Sequence, residues 1–276
     1  MADIHQFNYR AMATHFEVRI ADEERTYAAQ AAQAALDLLD RLESRLSRFR
    51  SNSDMAQIAE LRPGEKMRLS EHAFACLEIA KKMEQATCGA FSATPSALQT
   101  QTSLPQWRLL REEQSVVCEV GHLQFDLGAI GKGFALDQMA ELLRNWDCPS
   151  FLLVAGGSSI LAGDAPKDSP GWSCGLGEDN AKQRFFLAHA SLSGSGLAVK
   201  GCHIVDPRNG QVASRQNRAW AMTDMAAESD ALSTAAMVLS ESELEQVLAQ
   251  DESWLVFLEA AGVAVPKGRR TLPLQG

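Results

Sequence analysis

The chain has 276 residues, 46% hydrophobic and 22% charged, enough to bury a sizeable core as one large domain or two intimate lobes. Its formal charge of −9 disfavours nonspecific nucleic-acid binding, which needs a basic surface; the basic cluster "PKGRR" near the C-terminus reads as a solvated tail. No run approaches the roughly 20 apolar residues of a membrane helix. The stretch "MADIHQFNYRAMATHFEVRIA" has no basic-then-apolar signal region, so a cytoplasmic address is expected, or export if a leader was trimmed.

Residues 12–20 alternate, with Met12, Thr14, Phe16, Val18 and Ile20 on one face and His15, Glu17 and Arg19 on the other, which predicts a half-buried strand. An amphipathic helix follows over about Glu23 to Phe49, carried by Ala31, Ala34, Leu38, Leu42, Leu46 and Phe49. "SEHAFACLEIAKKMEQAT" is a second helix, with Ser70 as its N-cap. Short strands are expected around 115–126, then a helix over 134–146. Apolar strands follow at 151–155, 172–176, 184–189 and 219–224. Helices at about 229–239 and 241–250 and the strand "WLVFLEA" complete the chain. Helices early and short strands late favour an α+β fold over regular βαβ alternation. "GDAPKDSPG" at 163–171 is the clearest surface loop. The six cysteines, Cys76, Cys88, Cys118, Cys148, Cys174 and Cys202, form no C-x-x-C pair and read as small buried hydrophobes, reduced and unpaired.

Four segments could carry chemistry. "FDLGAIGKGFALD", Phe125 to Asp137, links the strand-like "HLQF" to a helix, where phosphate loops usually sit. It matches neither G-x-G-x-x-G nor the lysine-then-Ser/Thr loop of nucleotide-binding proteins. Its glycines still let the backbone approach a ligand, and Lys132 can meet an anion at the helix start. "AGGSS", 155–159, places two glycines at a strand end, as a tight turn or as room for a flat ligand. "GCHIVDPRNGQ", 201–211, sets His203 before a turn; a lone histidine has a plain structural explanation beside the catalytic one. "ESDALSTAAMVL", 228–239, puts Asp230 and Thr234 on one helix face, a hard-oxygen pair suited to Mg²⁺, unless Ser229 or Asp230 merely caps the helix.

In order, "MAT", "LSRFRSNSDMAQIAE", "GAFSAT", "DLGAIGKGFALD", "AGGS", "GCHIVDPRNG" and "SDALSTA" resemble the ApbE family, the FAD:protein FMN transferases, from about Met12 to Leu239. The resemblance implies an α+β fold with antiparallel sheets and packed helices, a ligand cleft between two lobes, and residues 1–276 as one flavin transferase domain. It implies Mg²⁺-dependent transfer of FMN from FAD to a Thr or Ser hydroxyl of an acceptor protein, with release of AMP. The family's metal ligands fall on the Ala129 carbonyl, Asp230 and Thr234, with Ser233 also counted in some members. Its flavin-nucleotide contacts fall on Met12, Phe49, Ala90, Phe91, Ser92, Asp126, Lys132 and Ile204. His203 matches the histidine beside the active centre, positioned as a general base.

The sequence departs from the family at Phe49, where tyrosine is usual, at Ser92 for aspartate, at Ser158 for an acidic or amide side chain, and at "SGSG", 193–196, which lacks the threonine of T-S-G. The stretch between Thr94 and Trp107 is also short for the family. These departures bear on the grip on the flavin more than on the metal site. Two other readings stay open: an FAD pyrophosphatase that yields FMN and AMP, and a flavin-binding protein without catalysis.

Overall fold

A computed structural model describes residues 3–95, 105–177, 183–196 and 204–271. The predicted first strand is the second half of a hairpin: β1 (Ile4–Ala11) pairs antiparallel with β2 (Thr14–Ala21), and Ala11 faces Thr14. Met12 and Ala13 form the two-residue turn, both left-handed with φ of 49° and 56°. That is the turn geometry a right-twisted hairpin favours, but glycine or asparagine usually supplies it. Neither residue announces it, so the sequence reads as one strand through Met12. The predicted alternation holds from Phe16 onward: Phe16, Val18 and Ile20 are buried.

Helix α1 (Arg25–Leu46) packs its alanine and leucine stripe into the main core. Glu24 caps it through the Thr26 and Tyr27 amides. It stops before the predicted Phe49, because Ser47 turns extended and accepts the Phe49 amide on its hydroxyl. Helix α2 (Asp54–Ile58), strand β3 (Lys66–Arg68) and α3 (Glu71–Ala86) follow, and Ser70 caps α3 as expected. β4 (Gln106–Leu110) and β5 (Ser115–Val120) join β3 in a small antiparallel sheet. The expected strand through 126 ends at Val120. Leu123 and Phe125 are buried from an irregular segment, with Phe125 set edge-on against Trp107 at 5.0 Å.

Helix α4 (Gly131–Asn145) starts three residues before the prediction. β6 (Phe151–Ala155), β7 (Ser159–Ala162), β8 (Trp172–Leu176), β9 (Gln183–Leu187), β10 (Ala190–Gly196) and β11 (Arg218–Thr223) follow. The chain goes on through α5 (Ala226–Ala236), α6 (Glu241–Leu248), β12 (Leu255–Ala260) and β13 (Val263–Gly268). Eight strands form one antiparallel sheet in the order β1-β2-β6-β7-β10-β11-β12-β13. Period-2 side chains split its burial between two cores. Phe151, Leu153, Leu161, Ala219, Ala221 and Val256 join the helices. Leu152, Ala162, Leu192, Met222, Leu255 and Phe257 pack with Trp172, Leu176, Phe185 and Leu187 of the β8–β9 hairpin. The sheet is therefore covered on both faces. The fold is α+β, with mixed helices and antiparallel sheets. Among the described residues no helix is long and apolar enough to cross a membrane.

Candidate functional site

The glycine-rich segment answers its own spacing. Asp126 closes the turn by accepting the Gly128 amide at 2.9 Å, and the Leu127 carbonyl accepts the Ile130 and Gly131 amides. At Gly133 a Cβ would stand 2.0 Å from the Ala226 carbonyl oxygen, so only glycine lets α5 begin this close to α4. One turn on, Asp137 accepts the Ala226 and Ala227 amides at 2.7 and 2.9 Å. The cap of α5 thus comes from α4; Met225, the residue before the helix, offers no side-chain cap, and neither Ser229 nor Asp230 serves as one. Burial pushes the Asp137 carboxyl up to about 7, against the two amides that pull it down.

The cap holds the first turns of α5 against the glycine segment, and Asp230 is the meeting point. Its Oδ1 accepts the Ser159 hydroxyl at 2.6 Å, and its Oδ2 accepts the Gly133 amide at 2.9 Å and the Lys132 ammonium at 3.2 Å. Asp230 is 4% exposed. Three segments singled out separately in the sequence ("GAIGKG", "AGGSS" and "SDALSTA") converge on one buried carboxylate. Because Gly133 donates to Asp230 and α4 begins only at Gly131, the Ala129 carbonyl four residues back does not accept that amide.

Thr234 and Ser233 donate back to the Asp230 carbonyl at 3.2 and 3.0 Å, and both hydroxyls lie within hydrogen-bond reach of Ser195, at 3.2 and 3.0 Å. Ser195 ends a row of β10 hydroxyls facing α5: Ser193 pairs with Ser229 at 2.9 Å, and Ser191 with Thr223 at 3.1 Å. Among the described residues no three His, Cys, Asp or Glu side chains group around a possible metal. A cation here would meet one carboxylate with hydroxyl and carbonyl oxygens. That donor set fits Mg²⁺, which takes one or two carboxylates and completes its shell with water and phosphate.

The expected flavin contacts distribute unevenly. Phe49 is 84% exposed, and the Arg48 guanidinium lies over its ring at 4.7 Å while pairing with Asp126 at 3.4 Å. Phe49, Arg48 and Asp126 are therefore neighbours beside the glycine turn. Met12 is half-buried at the hairpin turn, and Ile204 is half-buried against the core. Ala90 and Phe91 are core residues, 2% and 1% exposed, while the Ser92 hydroxyl donates to Glu84 at 2.9 Å. His203 lies outside the described residues. Just after it, Asp206 accepts Arg208 Nε and Nη2 at 2.8 and 2.7 Å, and Arg208 Nη1 reaches Glu243 at 2.7 Å, pinning the "DPRNG" turn to α6. Burial raises the Asp206 carboxyl, yet its Arg208 bonds outweigh that and leave it below the usual range.

Sequence reasoning missed Ser159, Ser195, Arg48 and Asp137. The first three are ordinary polar or charged residues whose role depends on what folds against them. Asp137 carried a signal: an aspartate one helical turn beyond Gly133, on the face that meets α5.

An α+β protein with a buried carboxylate at a helix–helix crossing beside a glycine-rich turn defines only a class. The family follows from comparison. Residues 12–257 match the model of the ApbE family. The chain belongs to the ApbE family. It is 22% identical over 169 residues to the FAD:protein FMN transferase of Klebsiella pneumoniae (strain 342), covering 55% of this chain and 48% of that one. It is likewise 22% identical over 171 residues to the enzyme of the same name from Escherichia coli (strain K12), covering 56% and 48%. These matches span about half the length of the curated relatives. Among solved structures, Flavin Transferase ApbE from Vibrio cholerae superposes with a TM-score of 0.81 at 15% identity, over 97% of both chains. Pseudomonas stutzeri flavinyl transferase ApbE, apo form, gives 0.81 at 19% identity, over 96% of this chain and 94% of that one. At such identities the likeness is one of fold.

Proposed function

We propose that the chain is an FAD:protein FMN transferase that moves the FMN half of FAD onto a Thr or Ser hydroxyl of an acceptor protein and releases AMP. The observation that carries this reading is the convergence of three family segments on Asp230, in a chain whose curated relatives bear that name. The acceptor oxygen forms a bond to the FMN phosphorus, the bond from that phosphorus to the oxygen of AMP breaks, and AMP leaves. Asp230, Thr234, Ser233 and the Ala129 carbonyl would hold Mg²⁺, which when bound neutralises pyrophosphate oxygens as charge develops.

Lys132, rooted in the first turn of α4, is the cation this reading assigns to the same oxygens. In this reading His203 takes the proton from the incoming hydroxyl as a general base. Phe49 offers an exposed ring, backed by Arg48, for stacking.

The test is incubation with FAD, Mg²⁺ and candidate acceptor proteins, followed by intact-mass measurement of the acceptor and quantification of AMP. The expected result is a covalent FMN adduct on a Thr or Ser, matched by one AMP. AMP without an adduct would make the chain an FAD pyrophosphatase. Neither product, despite flavin binding, would make it a non-catalytic flavoprotein.

A further inference from the structure

We propose that Lys132 is a resident counter-ion of Asp230 that the pyrophosphate of a dinucleotide draws away, so that FAD and the divalent cation bind as a coupled pair. The inference rests on Asp230 being the metal's carboxylate. Asp230 has three donors, and they differ in kind. Ser159, fully buried, is fixed at the start of β7, and the Gly133 amide is fixed in the first turn of α4. Both are neutral and immobile.

The Lys132 ammonium is the charged partner, on a flexible four-carbon stem whose side chain is 24% exposed. Its further contact is the Gly128 carbonyl at 3.5 Å, a long bond that costs little to give up. A carboxylate that is 4% exposed requires a compensating charge, and the ammonium supplies it on Oδ2. A divalent cation seeking the same carboxylate meets that ammonium first. Two cations on one carboxylate in a poorly solvated site repel strongly, so one excludes the other.

An ammonium expelled into solvent gains nothing but water. Beside a pyrophosphate it gains new anionic oxygens. Phosphate and metal therefore favour the same displaced lysine, and linkage makes the effect reciprocal: each tightens the other. FAD without metal would leave Asp230 uncompensated, and metal without FAD would leave Lys132 unpartnered.

The test is calorimetric titration of Mg²⁺ into the flavin-free chain and into the chain with FAD but no acceptor, for wild type, Lys132→Met, Lys132→Arg and Asp230→Asn. Thermal melts establish that each is folded; Lys132→Gln replaces Lys132→Met if that variant is not. Without FAD, Lys132→Met is expected to bind Mg²⁺ at least about tenfold more tightly than wild type, within the usual range of coupling, with Lys132→Arg near wild type and Asp230→Asn not binding. FAD is expected to strengthen Mg²⁺ binding at least about fivefold more in wild type than in Lys132→Met. If Mg²⁺ binding is lost in Asp230→Asn but Lys132→Met binds no better than wild type, or FAD strengthens both equally, the counter-ion role is overturned and the metal site stands. If Asp230→Asn binds as wild type does, the metal site itself is wrong and the inference falls with it.

Discussion

Gly133 has no room for a side chain, and the reason is a backbone oxygen rather than a rotamer. The Ala226 carbonyl lies where a Cβ would go, and it belongs to the first residue of α5, held by Asp137. Alanine in a helix is normally favoured over glycine by about 1 kcal/mol. Here overpacking, typically 1–3 kcal/mol, opposes that gain. Relief requires α5 to move off α4, which breaks the Gly133–Asp230 bond as well. Gly133→Ala is therefore expected to lower the melting temperature by several degrees and to reduce AMP release per folded molecule; a melt and a single-turnover assay together check it. At this scale the sequence showed which segments to watch but not how they meet. "GAIGKG" resembles a phosphate loop that fails, because its third glycine serves helix contact rather than phosphate approach. Ser159 looked like part of a turn because its partner, Asp230, is 71 residues away.

Helix α5 has no cap of its own, so α4 and α5 act as one unit. Asp137 carries the consequence for pH. Its carboxyl titrates near 4 in an unfolded chain and is raised to about 7 in the fold, first by burial. A carboxyl raised on folding contributes stability that is fully present below the unfolded pKa. That contribution is lost as pH rises through the folded value. Stability of the metal-free protein attributable to Asp137 is expected to fall between about pH 4 and about pH 7, and Asp137→Asn should remove that slope. Urea melts of both proteins at matched pH values give the difference; a difference that does not change with pH would refute the raised carboxyl.

Elements with a strong apolar period were legible: α1, α3, α4 and α6 lie close to their predicted spans, with errors at the ends where caps decide. β7 and β10 were not. In "ASLSGSG" the serines face α5, and Gly194 leaves space that a Cβ would take from Trp220, where it would come within 2.7 Å of the indole. A central strand built of serine and glycine carries no hydrophobic alternation to read. The β1–β2 turn was hidden for the opposite reason, because Met12 and Ala13 carry no turn composition.

The whole molecule rests on a sheet that is buried twice, by helices on one face and by the β8–β9 hairpin on the other. Such a core has no need of covalent staples. The described cysteines are all free: Cys76, Cys118 and Cys148 are buried, Cys174 is half-buried, and Cys88 is exposed, against the expectation that all were buried. Cys88 sits with φ of 50° in the turn after α3, which lifts it out of the helix's buried stripe. Burial pushes the Cys76 thiol up to about 12 and those of Cys148 and Cys174 up to about 11, so none of the three is a ready thiolate. Brief alkylation of the native protein, mapped by peptide mass, should label Cys88 well before Cys76, Cys118 and Cys148. Early labelling of any of those three would mean that the core opens more readily than its packing implies.

The row of hydroxyls between β10 and α5 has one more consequence. Its protons are already committed to backbone carbonyls: Ser191 gives to Thr223, Thr223 to Met225, Ser229 to Ala226, and Ser233 and Thr234 to Asp230. A hydroxyl has one proton to give and two lone pairs to offer. Ser195 therefore has a single proton for two oxygens, those of Ser233 and Thr234, that have none left to return. What this wall shows its neighbours is electron density rather than hydrogen, and it does so without a net charge. A cation settling beside Asp230 would find the lining already polarised in its favour, with no side chain obliged to turn.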